Sequence, residues 1–111
     1  QNADIDYEDI IDRFEGNEAL YLKLAELFLS DPHMANIEAA FAEGNLGEAE
    51  RESHALKGVA GNLSLTSLHQ LATRMNDLLK AHDEQAATAM LPELDDAYSQ
   101  ATQALRAVLG K

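Results

Sequence analysis

Apolar residues recur three or four positions apart along most of this chain, the spacing that places side chains on one face of an α-helix. No segment alternates apolar and polar residues with a period of two, so the pattern does not support β-strands. A short first helix is predicted within residues 7–14, and a longer apolar repeat covers residues 20–41. Pro32 interrupts that repeat. Proline either kinks a helix or stands near the first turn of a new one, and both interpretations stay open.

Two further helices are predicted in the middle of the chain. Asn45 followed by Glu48 resembles a capping box, the side-chain pattern that begins many helices. The apolar repeat that follows covers residues 46–63. After a break at residues 63–64, a second repeat covers residues 68–79.

The last predicted helix has Asp83 as its candidate cap and an apolar repeat over residues 90–108. Pro92 within it implies either a kink or a later start. The loops between the predicted helices have only a few residues, which favours antiparallel neighbours. The predicted fold class is all-α: an antiparallel up-down four-helix bundle with a short additional N-terminal helix, in one domain over residues 1–111.

Composition narrows the possible partners. The chain has no Cys, which excludes disulfides and Cys-ligated zinc, and no apolar run of about 20 residues that could span a bilayer. Its net charge is −12. This balance argues against nucleic acid and against an anionic membrane surface, because both attract positive charge. Residues 51–80 are the exception, with four Lys and Arg against two Asp and Glu.

The third predicted helix carries an unusual second stripe beside its apolar seam. Glu50, His54, Lys57, Gly58 and Gly61 are three or four positions apart and therefore share one face. Each glycine in a helix interior costs about 1 kcal/mol relative to alanine. The cost is explained if another backbone or a bulky group must come close. Gly58 favours such access, whereas for Gly61 tight packing of a neighbouring helix is an equally good explanation.

His54 is the strongest candidate for chemistry. A single histidine at the edge of a seam is most often a hydrogen-bonded structural residue. Here Arg51 and Lys57 flank it, each one helical turn away. Two nearby cations disfavour the imidazolium, which keeps a ring nitrogen available as a nucleophile, and they would stabilise an attached phosphoryl group. Phosphoryl chemistry therefore fits better than proton shuttling, with Glu50 as a possible orienting group.

The other histidines, His33, His69 and His82, lack the spacing of metal ligands, and we expect no metal site. His82 lies near a predicted helix C-terminus, where a cationic ring is favourable. Gln70 and Arg74 could line the face that carries the candidate nucleophile, although a solvated surface role explains them equally.

The segment from His54 to Leu63, His-Ala-Leu-Lys-Gly-Val-Ala-Gly-Asn-Leu, resembles the signature of histidine phosphotransfer (HPt) domains. That signature is commonly His-x-Leu-Lys-Gly followed by small residues. The resemblance continues in the Phe-x-Gly-Asn-x-x-Leu opening at residues 14–20, in Leu-Phe at 27–28 and in the Gly-Asn turn at 44–45. Two positions depart from it: Ser64 stands where many relatives have Gly, and Asn76 where Glu is frequent.

The resemblance implies roles for four residues of the stripe and for Arg51. His54 would be the exposed phosphoacceptor and Lys57 would hold phosphoryl oxygens. Gly58 would clear room for a partner, Gly61 would allow close packing or docking, and Arg51 would belong to the docking surface. The implied partner is a response-regulator receiver domain, whose phospho-aspartate exchanges the phosphoryl group with His54. The required Mg²⁺ would belong to the receiver, so no cofactor is expected on this chain.

The resemblance is greatest to the C-terminal HPt domain of a bacterial hybrid sensor kinase, which implies a cytoplasmic, monomeric module. Because the chain opens on Gln1 rather than Met, we expect it to be a piece of a longer protein. It has no room for an ATP-binding catalytic domain and would not phosphorylate itself from ATP. Two alternatives remain: the phosphoacceptor domain of a chemotaxis-type kinase, and a helical adaptor that binds receivers without being phosphorylated.

Overall fold

The computed structural model describes Glu8 and residues 17–110. Residues 17–110 form five α-helices and no β-strand. Apart from Glu8, the short helix predicted within residues 7–14 lies outside the described residues. The helices are α1 (Glu18–Phe28), α2 (His33–Glu43), α3 (Leu46–Asn62), α4 (Thr66–Lys80) and α5 (Glu84–Leu109).

Helices α2 to α5 form a four-helix bundle, which confirms the predicted all-α class. Each of them packs against its neighbour in the chain, and α5 returns to contact α2. Helix α1 packs against α5. The short connections at residues 44–45, 63–65 and 81–83 leave successive helices no room except to reverse direction.

Side-chain caps begin three of the helices. The side-chain oxygen of each capping residue accepts a hydrogen bond from a backbone N–H three positions later, at 3.0 to 3.1 Å, and the caps are Asn17, Asn45 and Asp83. The starts predicted at Asn45 and Asp83 are therefore confirmed. A cap satisfies a backbone donor that the first turn leaves unpaired, so it is a local signal that sequence alone reveals.

The two prolines behave differently. Pro32 directly precedes α2, so the apolar repeat over residues 20–41 comprises two helices rather than one kinked helix. Pro92 lies inside α5, which begins at Glu84, so the interpretation of a later start is wrong. Pro92 is exposed while Met90 and Leu94 on either side are buried. Packing of this apolar face stabilises the helix through a residue that lacks a backbone N–H.

The core draws large side chains from all five helices. The most deeply buried of these are Phe28, Met34, Ile37, Leu56, Leu68, Met75, Leu94 and Leu105. The ring centroids of Phe28 and Tyr98 lie 5.5 Å apart, and the Tyr98 hydroxyl donates to the backbone carbonyl of Asp31 at 3.5 Å. These contacts attach the end of α1 and the following loop to α5. No described helix is both long enough and apolar enough to cross a membrane.

Candidate functional site

Helix α3 places the candidate residues by burying one side and exposing the other. Its buried residues recur every three or four positions and face α2 and α4 across the bundle. They are Ala49, Ser53, Leu56 and Ala60. The opposite side therefore lies on the surface, and Arg51, His54 and Gly58 there are all exposed. We call these three residues the outer face of α3.

The His54 imidazole extends from the outer face without an internal partner. Within residues 17–110 it makes no hydrogen bond and no ion pair. Among the same residues, His54 donates no hydrogen bond to the Glu50 carboxylate, so the suggested orienting role of Glu50 has no support in the geometry. The His54 side chain is thus exposed to solvent, as a reaction with another molecule requires.

The two cations that flank His54 differ in what they bind. The Arg51 guanidinium donates to the carboxylate of Glu48, three residues earlier on the same helix. Lys57 is half-buried, and its ammonium forms no ion pair with any described residue. Because His54 and Lys57 are three residues apart, their side chains are neighbours on α3. Lys57 is therefore the cation available beside the imidazole.

The two glycines of the stripe have opposite surroundings. A Cβ built on Gly58 would meet nothing within 4 Å, so no neighbour among the described residues requires a glycine there. A Cβ on Gly61 would lie 3.2 Å from two ring atoms of His69, closer than ordinary van der Waals contact. Of the two explanations left open for Gly61, the structure supports close packing with a neighbouring helix, which is α4.

His69 joins the site although its sequence position did not indicate it. It lies in the first turn of α4, and its Nδ1 is 3.0 Å from the backbone carbonyl oxygen of Lys57. A carbonyl only accepts, so Nδ1 carries the proton and donates. The register of α4 against α3 brings this ring to the space above Gly61. From the sequence alone, an interior glycine indicates that a large side chain can pack opposite it, but not which residue supplies that side chain.

A buried polar network fastens α3 to α4 directly beneath His54. Asn76 of α4 is fully buried, and its Nδ2 donates to the Glu50 carbonyl at 3.0 Å and to the Ser53 hydroxyl at 3.2 Å. Ser53 in turn donates its hydroxyl to the same carbonyl at 3.0 Å. In an α-helix the carbonyl of Glu50 also accepts from the amide of His54. Hydrogen bonds on the buried side of α3 thus hold the backbone turn that carries His54 against α4.

Asn76 stands at the position where the family frequently has Glu, and the network shows what it does instead. Both protons of its amide are used, whereas its Oδ1 is buried without a hydrogen-bond partner among the described residues. An unpaired buried oxygen reduces the stability that the two donated bonds contribute.

On the side that faces α2, a second polar group holds α3. The His33 Nδ1 lies 2.8 Å from Glu52 Oε1, and Asn36 donates its Nδ2 to the same oxygen at 3.1 Å. The hydrogen bond with His33 is the largest cause that lowers the pKa of Glu52 below its ordinary value. Helix α3 is therefore fixed by polar contacts along both of its packed edges.

An apolar groove lies between α1 and the C-terminal end of α3. Its lining includes Leu24, Leu27, Val59 and Leu63. Leu27 is 60% exposed, although the apolar repeat placed it in the buried seam. The buried face of α1 consists of Tyr21, Ala25 and Phe28 instead. Val59, which lines the groove on α3, is the residue after Gly58 of the outer face.

The turns that follow α3 and α4 each contain a residue in the left-handed backbone conformation. Ser64 has a φ of +56° and His82 a φ of +60°, the left-handed conformation that favours glycine. The departure at Ser64 thus keeps the backbone turn that a glycine would make.

The remaining candidate residues lie at the surface: Gln70 and Arg74 are exposed on α4. The described residues contain no group of three His, Asp or Glu side chains that could hold a metal ion.

A four-helix bundle that presents an unpaired histidine beside a lysine and an open glycine has the features of a phosphotransfer module. The family model for the Hpt domain matches residues 24–104 of this chain. The chain therefore belongs to the Hpt domain family, whose members act in histidine phosphotransfer within two-component phosphorelays and interact with receiver domains. No curated protein and no solved structure matches the chain.

Proposed function

We propose that this domain is a phosphorelay intermediate that accepts a phosphoryl group on His54 from the phospho-aspartate of a receiver domain and passes it to another receiver. The observation that carries the proposal is the difference between the side chain of His54 and the backbone turn that holds it. The side chain is exposed and makes no hydrogen bond or ion pair within residues 17–110, while the turn beneath it is fastened to α4 through Ser53 and Asn76. A fixed backbone with an accessible nucleophile lowers the entropy that a productive encounter must lose.

The transfer step balances without any further reactant. A lone pair on a ring nitrogen of His54 attacks phosphorus, and a P–N bond forms as the P–O bond to the receiver's aspartate breaks. The aspartate leaves as a carboxylate. The other ring nitrogen keeps its proton, which the phosphorylated ring can release to solvent. The onward step is the reverse of the same exchange with a second receiver.

Lys57 supports this step as a charge beside the phosphoryl group. Its ammonium is one turn from His54 and has no ion pair among residues 17–110. An ammonium is a compact donor that suits phosphoryl oxygens. We assign the Mg²⁺ of the reaction to the receiver and no cofactor to this chain.

The docking surface in this proposal combines Gly58 with the apolar groove. The open space over Gly58 admits the partner's loops close to His54. The groove beside it, with Leu27 exposed at its rim, supplies apolar area that a partner helix can cover. Arg51 lies at the edge of this surface, although its guanidinium binds Glu48. We place the domain in the cytoplasm as a monomer, where receivers are found.

The test is phosphoryl uptake from a panel of receiver domains charged with acetyl phosphate. The wild type, His54→Gln and the matched control His82→Gln are each mixed with the panel, and intact mass is measured before and after acid treatment. We expect one acid-labile phosphoryl group on the wild type and on His82→Gln and none on His54→Gln. His82 is a suitable control because it is exposed and lies in the turn after α4.

The adaptor alternative predicts a different outcome. A domain that binds receivers measurably but gains no phosphoryl group from any of them would contradict the proposal and favour the adaptor. Uptake that persists in His54→Gln would contradict the assignment of the acceptor alone. Far-ultraviolet circular dichroism of each variant verifies that the helices are intact.

A further inference from the structure

We infer that His69 is a positioning residue of the transfer site: the bond from its Nδ1–H to the Lys57 carbonyl, made in the space that Gly61 leaves open, fixes the turn of α3 that carries Lys57. The inference rests on the proposed function, because it concerns the same reaction. It adds a residue from a second helix to a site that the sequence motif places on one helix alone.

The hydrogen bond has a defined direction and a defined target. His69 Nδ1 is 3.0 Å from the Lys57 carbonyl oxygen, and that oxygen also accepts the amide of Gly61 within the helix. The carbonyl therefore receives two donors, one from its own helix and one from α4. A neutral His69 must hold its proton on Nδ1, with the lone pair of Nε2 directed away from α3.

Gly61 and His69 form a matched pair. A Cβ at residue 61 would lie 3.2 Å from both Cε1 and Nδ1 of the ring, so an alanine would displace the imidazole by a few tenths of an ångström. The backbone of His69 is itself held, because its amide donates to the Leu65 carbonyl at 2.8 Å and its carbonyl accepts from the Thr73 hydroxyl at 2.7 Å. The ring therefore approaches α3 from a fixed support.

The location of this bond explains why it acts on transfer more than on folding. His69 is exposed, and a hydrogen bond at the surface competes with water, so its loss changes the overall stability little. The carbonyl that His69 binds, however, belongs to Lys57 itself, so the bond also fixes the backbone from which the Lys57 side chain extends. Small rotations of that turn displace an ammonium that must meet phosphoryl oxygens, and reactions of this kind are sensitive to such displacements.

The first experiment compares His69→Asn with His69→Leu. The two side chains have nearly the same shape, and the Asn amide can donate from the position that Nδ1 occupies, whereas Leu has no donor. We expect His69→Leu to slow phosphoryl transfer three- to tenfold, with receiver affinity and thermal midpoint nearly unchanged, and His69→Asn to restore most of the rate. Equal rates for both variants and the wild type would overturn the inference, and so would equal slowing of both.

The second experiment tests the pairing with Gly61. We expect Gly61→Ala to slow transfer in the wild-type background and to have no further effect in a His69→Ala background, because the ring that it displaces is gone. Additive effects of the two substitutions would contradict a shared mechanism. Long-range ¹H–¹⁵N spectra of the histidine rings give a readout independent of transfer, with His69 protonated at Nδ1 in the wild type and altered in Gly61→Ala.

The outcomes separate the inference from the proposed function. If the wild type binds receivers measurably but takes up no phosphoryl group from any of them, both are overturned. If the wild type transfers normally and His69→Leu behaves like it, the inference fails and the role of His54 stands. Slower transfer of His69→Leu with rescue by Asn supports both.

Discussion

Two glycines on α3, three residues apart, have opposite surroundings. The difference distinguishes an exposed side of the helix from a side that packs against α4. The space over Gly58 is empty, whereas the space over Gly61 is filled by the ring of His69. One glycine leaves room for another molecule and the other for a side chain of the same chain. A stripe of small residues therefore does not by itself indicate a docking surface.

The polar residues of α3 divide in the same way. On the edge that faces α4, the carbonyls of Glu50 and Lys57 are bound by Asn76 and His69. On the outer face, the His54 imidazole has no partner among residues 17–110. Hydrogen bonds fix the edge that faces α4, whereas in our proposal the outer face is where a second protein docks. Substitutions on the two sides should therefore have separable effects.

The largest separable effect is expected at Gly58. A Gly58→Trp substitution should weaken receiver binding about 100-fold, equivalent to about 2.7 kcal/mol, because the indole fills the approach to His54. The isolated domain should not lose stability, since glycine is the poorer helix former by up to about 1 kcal/mol. Calorimetric titration with a receiver and thermal melts measure the two effects.

Gly58→Ala is the matched control for the tryptophan variant. It should raise the thermal midpoint slightly and change receiver affinity little. If Gly58→Trp binds receivers as the wild type does, the outer face is not where the partner docks.

The next effect is expected on the opposite side, at Asn76. Asn76→Ala should lower the free energy of unfolding by about 1–2 kcal/mol, because two buried hydrogen bonds are lost while the unpaired Oδ1 is removed with them. Urea denaturation measures this change, with Gln70→Ala, exposed on the same helix, as the control. A variant as stable as the wild type would show that the network does not anchor the His54 turn.

A smaller effect, confined to the reaction, is expected at Lys57. Lys57→Ala should slow transfer about tenfold, or about 1.4 kcal/mol in the barrier, while stability changes by less than about 0.5 kcal/mol. Single-turnover transfer kinetics and urea melts measure the two quantities. Lys80→Ala, which removes an exposed cation from α4, controls for net charge. Parallel loss of helicity and transfer in Lys57→Ala would contradict the assignment.

The smallest effect concerns the α2 side of α3 and depends on pH. The pKa of Glu52 is lowered chiefly by its hydrogen bond with His33, so the bond stabilises the fold above the ordinary carboxyl pKa of about 4.3 and is lost as the pH falls through the lower folded value. Glu52→Gln should therefore cost about 0.5 kcal/mol at pH 7 and less at pH 3. An equal difference at both pH values would contradict this origin.

Much of the fold could be predicted because its signals are local. Caps such as Asn45 and Asp83 act within one turn, and the apolar period reports which residues face the core. The prediction was wrong for a later start at Pro92, where packing of the long α5 overrides the local effect of proline. Leu27 falls within the apolar repeat over residues 20–41 and is nevertheless 60% exposed, because the buried face of α1 consists of Tyr21, Ala25 and Phe28.

The candidate site could be predicted only in part. The motif on α3 indicates His54 and Lys57 because their spacing lies within one helix. His69 and Asn76 belong to α4, and their contacts depend on the register between two helices, which no local pattern determines. Their roles therefore became visible only in the three-dimensional arrangement.

The central claim is that His54 accepts the phosphoryl group, and tryptic mapping of the phosphorylated domain under alkaline conditions tests it most directly. Cleavage after Arg51 and Lys57 releases residues 52–57, a peptide that contains His54 and no other histidine, while His33, His69 and His82 fall in three different peptides. We predict that tandem mass spectrometry finds the acid-labile phosphoryl group on peptide 52–57. A phosphoryl group on any of the other three peptides would contradict the account.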